Sequence, residues 1–584
     1  MPTRDFSTLI DLLDGARDVH PSRGIRLVSA QFRESYCSYA ELHRRVLFHA
    51  EHLREQDIGA GQKVVVPLTT DLDLVGSFLA LIWLGAVPVS VTGQMAGQER
   101  GAYLRRLKDL MERYQFDRIV LDTTLAQAVV DDQVLDPRLV ADPYPQSVDP
   151  DREPPRIAAA SPRPDDLAFI QYSSGSTSDP KGVQITHRNI CANLKIIVEN
   201  DGRTEESSGI VWMPLYHDMG LVGGFLSPMV HYHPLVLMNP VCFLMKPVSW
   251  LDYVSRYRGT VSPVPNFALD MCVTRIRDHQ LEKRKPDLGS LAYLYNGSEP
   301  VSGEVIERFY ERFAPYGLRR GVVHPVYGMA ETTLIVTAPD RSSPLRTRDI
   351  DGVRVVSVGR PKGDFEIRIV AEDGGAAPPG SVGEIAIRGA CVTPGYYLND
   401  EENARRFVDG WFHTGDLGLI EPGGEMFITG RIKDLIIVNG KNFYAHDIAA
   451  KIEELPFVRR GKTHVFSFNI GGREEVVVMT VLASRMSSAV RGRVEQLKEF
   501  LSHEPGSWLL SRLGEQAETF IRAMNPRDVE MLKDELKQYL LREFGLPIHD
   551  VFIAPNMPRT TSGKIRRGEA EALYREYLKS ESGS

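Results

Sequence analysis

The sequence predicts an α/β fold: a large N-terminal body of parallel βαβ subdomains with a small β-subdomain, then a smaller α+β C-terminal domain. Three observations predict it. Short apolar runs alternate with amphipathic helical stretches through the first half of the chain, the pattern of parallel sheets covered by helices. From about Val355 the pattern becomes alternating apolar and polar residues between Gly/Pro turns, as in an antiparallel sheet. Past Gly430 a hairpin signal and two amphipathic stripes follow. At 584 residues the chain exceeds one core and suits about two to four domains. We place the N-terminal domain at 1–432, its β-subdomain at about 355–430, and the C-terminal domain at 433–584.

The elements follow in order. Ser38-Tyr39-Ala40-Glu41 is a capping box opening a helix with an apolar stripe of Leu42, Val46 and Leu53. Lys63 to Leu68 reads as a strand, Asp71 to Leu84 as a helix closed by Gly85, and Val87 to Val91 as a strand. The rhythm continues through Ile119 to Leu121, Leu167 to Gln171, Ile210 to Met213, Leu235 to Met238 and Leu291 to Tyr295, and predicts one large parallel sheet. Leu135 to Asp165, rich in Pro and Asp, reads as a surface linker between subdomains. Phe365 to Val370 and Glu384 to Arg388 belong to the β-subdomain. His464 to Ile470 and Glu475 to Leu482 flank Gly471-Gly472 as a hairpin. Two helical stripes complete the chain: Val490, Val494, Leu497 and Leu501, then Val529, Leu532, Leu536 and Leu540. Both read as core faces.

Composition narrows the function. Apolar content of 42% and charged content of 25% are ordinary for a globular protein. Acidic residues outnumber basic ones, 77 to 69, so nucleic acid is not the expected partner. No apolar run approaches the roughly 20 residues that span a bilayer. Met1 to Phe6 lacks a signal-peptide core, and Cys37, Cys191, Cys242, Cys272 and Cys391 are scattered without metal spacing. Reduced thiols in a cytoplasmic protein are expected. The sequon Asn296-Gly297-Ser298 carries no weight without a secretory signal.

The chemistry concentrates in a loop after the apolar run Leu167-Ala168-Phe169-Ile170. Tyr172-Ser173-Ser174-Gly175-Ser176-Thr177-Ser178-Asp179-Pro180-Lys181-Gly182 offers backbone N–H groups, hydroxyls and one lysine to a phosphate chain. It is not a Walker loop: Pro180 stands at the second glycine position and Gly182 follows Lys181. Alone it is equally a flexible turn. Four further motifs follow: Tyr327-Gly328-Met329-Ala330-Glu331-Thr332, His413-Thr414-Gly415-Asp416, Gly430-Arg431-Ile432-Lys433-Asp434, and Arg559-Thr560-Thr561-Ser562-Gly563-Lys564.

These five motifs, in this order, resemble the adenylate-forming ligases: acyl-CoA synthetases, luciferases and nonribosomal adenylation domains. The resemblance implies ATP as substrate and Mg²⁺ as cofactor. Ser173, Ser174, Gly175, Ser176, Thr177 and Lys181 would hold the β- and γ-phosphates. Glu331 would take the magnesium, which prefers oxygen ligands. Tyr327 would stack near adenine, with Gly328, Met329 and Ala330 beside it, and Thr332 would contact the α-phosphate. Asp416, assisted by Arg431, would accept the ribose hydroxyls. Lys564 would bridge the substrate carboxylate and the α-phosphate, stabilising the transition state as a point charge; a solvated basic tail is the alternative. Asp434 would be the hinge on which a mobile C-terminal domain rotates; a turn aspartate is the alternative.

Several segments resemble one branch, the fatty acyl-AMP ligases: Met213-Pro214-Leu215-Tyr216-His217-Asp218-Met219-Gly220-Leu221, Pro265 to Cys272, Tyr295 to Val301, and Lys441 to Ile448. The branch implies a fatty acid substrate and a phosphopantetheinylated acyl carrier protein as acceptor, as in polyketide, lipopeptide or lipid biosynthesis. His217 and the turn Asn296-Gly297-Ser298 would line the entrance to the acyl pocket, with Trp212, Met213 and Phe267 as neighbours; for these three, ordinary core packing stays open. Two departures stand out. Ala338 to Val356 is shorter than the insertion this branch carries, which favours free CoA as the alternative acceptor. About 484–527 is extra sequence for which we have no physical account. A catalytically inactive homologue that binds nucleotide or acyl chains is a further alternative; the presence of Lys181, Glu331, Asp416, Arg431 and Lys564 speaks against it.

Overall fold

A computed structural model describes residues 5–94, 99–132, 134–142, 152–172, 181–341, 343–350, 353–438, 441–455, 458–470, 473–482, 526–544, 546–554, 556–558 and 565–582. The chain divides into two compact units. One runs to Thr414 and takes in Gly418–Ile428; the other holds Gly415–Leu417 and the chain from Thr429.

In the first unit the expected single parallel sheet is two sheets. One has seven strands in the order Val323–Pro325, Tyr293–Gly297, Val261–Pro265, Gly209–Val211, Leu235–Met238, Gly24–Val28 and Glu34–Ser38. The other has six: Val140–Ala141, Arg118–Val120, Lys63–Pro67, Val87–Val91, Leu167–Tyr172 and Gly182–Thr186. Each ends in one antiparallel strand, Glu34–Ser38 against Gly24–Val28 and Gly182–Thr186 against Leu167–Tyr172. The reason is length: a parallel return needs a crossover of about a dozen residues or more, and both connections are shorter. The expected linker at 135–165 is partly built in. Val140–Ala141 pairs at a sheet edge, and the Ile157 carbonyl accepts a hydrogen bond from the Trp83 indole at 3.1 Å.

Local chemistry fixes the helices. Ser38 caps Tyr39–Glu55 by accepting from the Glu41 N–H, and Leu42, Val46 and Leu53 are fully buried. Asp71 caps Leu72–Trp83. Thr186 and Asn189 form a reciprocal capping box for His187–Asp201. Past it, Glu366–Val370, Gly383–Arg388, Trp411–Ile420 and Phe407–Val408 form the small antiparallel sheet, with Met426–Arg431 paired to Trp411–Ile420. The short segment 338–356 contains a hairpin, Thr347–Ile350 against Val353–Val356.

The second unit has its own core. Val458–Ile470 and Arg473–Leu482 form the expected hairpin, with Asp550–Ile553 added in parallel. Its sides alternate: Val476 and Val478 pack with Ile448, Ile452, Leu536 and Leu540, while Val477 and Met479 pack with Phe466 and Tyr574. Leu532, Leu536 and Leu540 on Pro526–Phe544 are buried, as their stripe predicts. The stripe from Val490 to Leu501 and most of the extra 484–527 stretch lie outside the described residues.

Candidate active site

In the first unit, the carboxyl ends of Val261–Pro265, Tyr293–Gly297 and Val323–Pro325 surround a mostly apolar cavity, the usual ligand position in an open α/β sheet. Its walls include Met219, Ser298, Tyr327, Gly328 and Leu334. One wall starts from a π-helical turn, Met219–Leu226, capped by Asp218, whose Oδ1 accepts from the Met219 N–H at 2.7 Å. Such turns concentrate at functional sites. Gly220 is required there, because a Cβ would sit 2.0 Å from the Pro214 carbonyl oxygen. His217 pairs through Nδ1 with Asp218 Oδ1 at 2.6 Å.

The opposite wall is held in unusual backbone. Ser298 has φ +68° and Thr333 also +68°, conformations that cost about 1–3 kcal/mol each and persist only where neighbours enforce them. Thr333 Oγ1 donates to the Cys391 carbonyl at 2.8 Å. Gly328 admits no side chain, since a Cβ would meet the Leu334 carbonyl. Asn296 is fully buried and its Nδ2 donates to the Val264 carbonyl at 3.1 Å; Gly297 ends the strand beside it. Trp212, Met213 and Phe267 are not among the residues that line the cavity. Trp212 stacks on Phe243 at 3.9 Å and meets Phe267 edge-on at 6.1 Å, and Met213 is buried.

The segment Met329 to Leu334 is tied to helix His187–Asp201. Asn193 Nδ2 donates to the Ile335 carbonyl at 2.9 Å, and its Oδ1 accepts from the Ile335 N–H at 3.2 Å. Thr332 is buried, and its hydroxyl donates to the Met329 carbonyl at 3.0 Å; Ala330 opens the same turn.

Beside Glu331 lies a charged cluster. Tyr396 donates its hydroxyl to Glu331 Oε1 at 2.7 Å. Lys181 lies 5.0 Å from the centre of the Tyr396 ring and is paired with Glu402. Burial alone would raise the Glu402 pKa, but hydrogen bonds from Lys181, Arg405 and Arg406 outweigh it and hold the carboxyl at about 2. Burial, then the Glu331 charge, push the Tyr396 phenol well above its ordinary value, so it stays a donor. Among the described residues no cluster of three or more His, Cys, Asp and Glu is placed to hold a metal. All five cysteines are free and buried, which keeps their thiols unreactive.

In the second unit, Asp416 is nearly buried and its Oδ1 accepts from Arg431 Nε at 2.8 Å. Asp434 receives a two-pronged contact from Arg567, with Nη2 donating to Oδ2 at 2.6 Å. Burial, then the nearby Arg431 charge, lower the Arg567 pKa to about 10. Ser173, Ser174, Gly175, Ser176, Thr177 and Lys564 lie outside the described residues. Sequence reasoning missed Asn193, Tyr396, Glu402 and Arg567. A faint signal existed for the first, since Asn189 and Asn193 lie four apart on an otherwise apolar helical face.

Comparison with known proteins places the chain in a family. Residues 19–397 match the AMP-binding enzyme family. The chain is 29% identical to the medium-chain-fatty-acid–[acyl-carrier-protein] ligase JamA of Moorena producens, over 99% of this chain and 96% of that protein. It is 30% identical to the long-chain-fatty-acid–AMP ligase FadD26 of Mycobacterium marinum, over 92% and 91%. A solved structure from a study of fatty acyl-adenylate ligases of E. coli and L. pneumophila superposes with a TM-score of 0.82 at 27% identity, covering all of both chains.

Proposed function

The chain belongs to the AMP-binding enzyme family, and from that premise we propose that it activates a fatty acid as its acyl-adenylate and delivers the acyl group to a carrier protein. In the first step a carboxylate oxygen attacks the α-phosphorus of ATP, the bond to the β-phosphate oxygen breaks, and pyrophosphate leaves. In the second, the phosphopantetheine thiol of an acyl carrier protein attacks the acyl carbonyl, the thiol proton is lost, and AMP leaves. One observation carries this reading. Tyr327 and Gly328, part of the nucleotide motif, also wall the apolar cavity beside Met219 and Leu334. An alkyl slot worth about 0.8 kcal/mol per buried CH₂ thus ends where the nucleotide motif begins.

The residues fit their roles. Two anions must meet, so fixed positive charge has to offset their repulsion. Lys181 is paired with Glu402 over the Tyr396 ring and would leave that pair for the phosphates. Glu331, oriented by Tyr396, is a hard carboxylate of the kind that holds Mg²⁺ alongside phosphate oxygens and water. When bound, that ion would neutralise charge on the phosphates. Thr332 follows Glu331 in the chain and would contact the α-phosphate. Asp416, steadied by Arg431, accepts the ribose hydroxyls, and Lys564 supplies the charge that joins carboxylate and α-phosphate. Asp434, held by Arg567, is the hinge of a C-terminal domain from about 433. His217, paired with the cavity-lining Asp218, would guard the acyl entrance.

Free CoA is the second reading for the acceptor, because the 338–356 segment is short. Measuring ATP-dependent acyl-AMP formation by mass spectrometry tests the proposal. Fatty-acid-dependent pyrophosphate release supports it; no adenylate with any fatty acid would refute it.

A further inference from the structure

A second, smaller cavity adjoins the acyl cavity, sharing Gly223 and Pro263 with it. It lies toward the other end of the π-helical turn, near the start of strands Gly209–Val211 and Val261–Pro265, and has room for about one water-sized group. Two buried polar side chains, Arg203 and His233, stand in its mostly apolar wall. Arg203 lines it, with a side chain only 4% exposed; Nε donates to the fully buried Asp201 at 2.8 Å and Nη2 to Ser227 at 2.9 Å. That leaves guanidinium donors at the cavity wall. His233 also lines it, 1% exposed, and neither ring nitrogen has a well-formed hydrogen bond. One leans loosely on the Thr204 backbone; burial, then the Arg203 charge, push the imidazole pKa down to about 3, so the ring is neutral. A neutral imidazole keeps one acceptor nitrogen.

Buried polar side chains beside an apolar slot need a reason, since unpaired polar groups there cost about 1–3 kcal/mol each. Asp201 already neutralises Arg203, so a second carboxylate is not what this end is built for. A hydroxyl both accepts, as Arg203 requires, and donates, as His233 requires. We propose that this cavity binds a hydroxyl at the far end of the acyl chain, making a fatty acid with a terminal hydroxyl the preferred substrate class. This rests on the reading of the larger cavity as the acyl site. Gly223 lines both cavities, and Leu334 packs against it on the acyl side.

The test is a competition of plain straight-chain acids against their ω-hydroxy counterparts over a range of lengths, reading kcat/KM for acyl-AMP formation by the full chain. A preference for the hydroxy acid of about tenfold or more, confined to one or two neighbouring lengths, is expected, because the cavity lies at a fixed depth. In His233→Leu the ratio should fall to near one, and in His233→Gln, which keeps a donor and an acceptor, part of it should survive. A ratio at or below one at every length overturns the proposal, as does an even preference across all lengths. An unchanged ratio in folded His233→Leu also overturns it. If that variant does not fold, the length profile of the unaltered protein decides. Adenylation of plain acids without any hydroxy preference would leave the proposed function standing and remove only this inference. Adenylation of neither series would remove both.

Discussion

Glu402 decides what Lys181 can do. The pair is mostly shielded from solvent and would have to open for Lys181 to reach a phosphate. Partly exposed pairs of this kind hold about 1 kcal/mol or less. Glu402→Gln should therefore lower KM for ATP, by up to about fivefold at that energy; an unchanged or raised KM would show that Glu402 positions the lysine rather than competing for it. The same carboxyl has a pH signature. Its pKa falls from the ordinary 4.5 to about 2, so its stabilising contribution is present above pH 4.5 and is lost as pH falls through about 2. Acid unfolding curves of Glu402→Gln should show a shallower loss of stability across that window. Lys564→Ala should cost about 10²–10³ in the rate of acyl-AMP formation, the usual effect of losing one well-placed donor. Much of the site was legible because its residues sit in contiguous motifs, such as Tyr327 to Thr332. Its supports were not: Glu402 is 221 residues from Lys181, Tyr396 is 65 from Glu331, and Arg567 is 133 from Asp434. No local spacing rule connects such pairs.

Elements explain why the motifs hold their shape. Helix His187–Asp201 clamps the loop after Glu331 through Asn193, which is fully buried. Asn193→Ala would strand the Ile335 N–H and carbonyl away from water, at about 2–3 kcal/mol. A denaturant midpoint lowered by that amount, with a raised KM for ATP, is the expected outcome. The π-helical turn is the other fixed wall. In Gly220→Ala the new methyl meets a backbone oxygen rather than a movable side-chain tip, so the turn itself must shift, at about 1–3 kcal/mol. Steady-state kinetics should show a raised KM for the fatty acid and little change for ATP. Some strands were readable from apolar runs, Val87–Val91 to the residue, whereas Gly24–Val28, Glu34–Ser38 and Val261–Pro265 were not read at all. Their division into two sheets was not, because sheet partners are chosen by crossovers and edge pairing rather than by the composition of a strand.

At the scale of the whole molecule, two units with separate cores predict separate unfolding. Calorimetry should resolve two transitions, and truncating core residues of the second unit, such as Leu536→Ala, should lower only one of them. The proposed hinge concerns the second half-reaction. Arg567→Ala frees Asp434, so thiol transfer should change by a larger factor than adenylation when the two half-reactions are timed separately. The central claim is activation of a fatty acid followed by delivery to a carrier protein. Its most direct test supplies ATP, magnesium and fatty acids with CoA, with phosphopantetheinylated carrier protein, and with neither. Acyl-AMP should form in all three, persist with CoA, and be consumed only with the carrier. Efficient conversion to acyl-CoA would contradict the claim and give the short 338–356 segment the decisive weight.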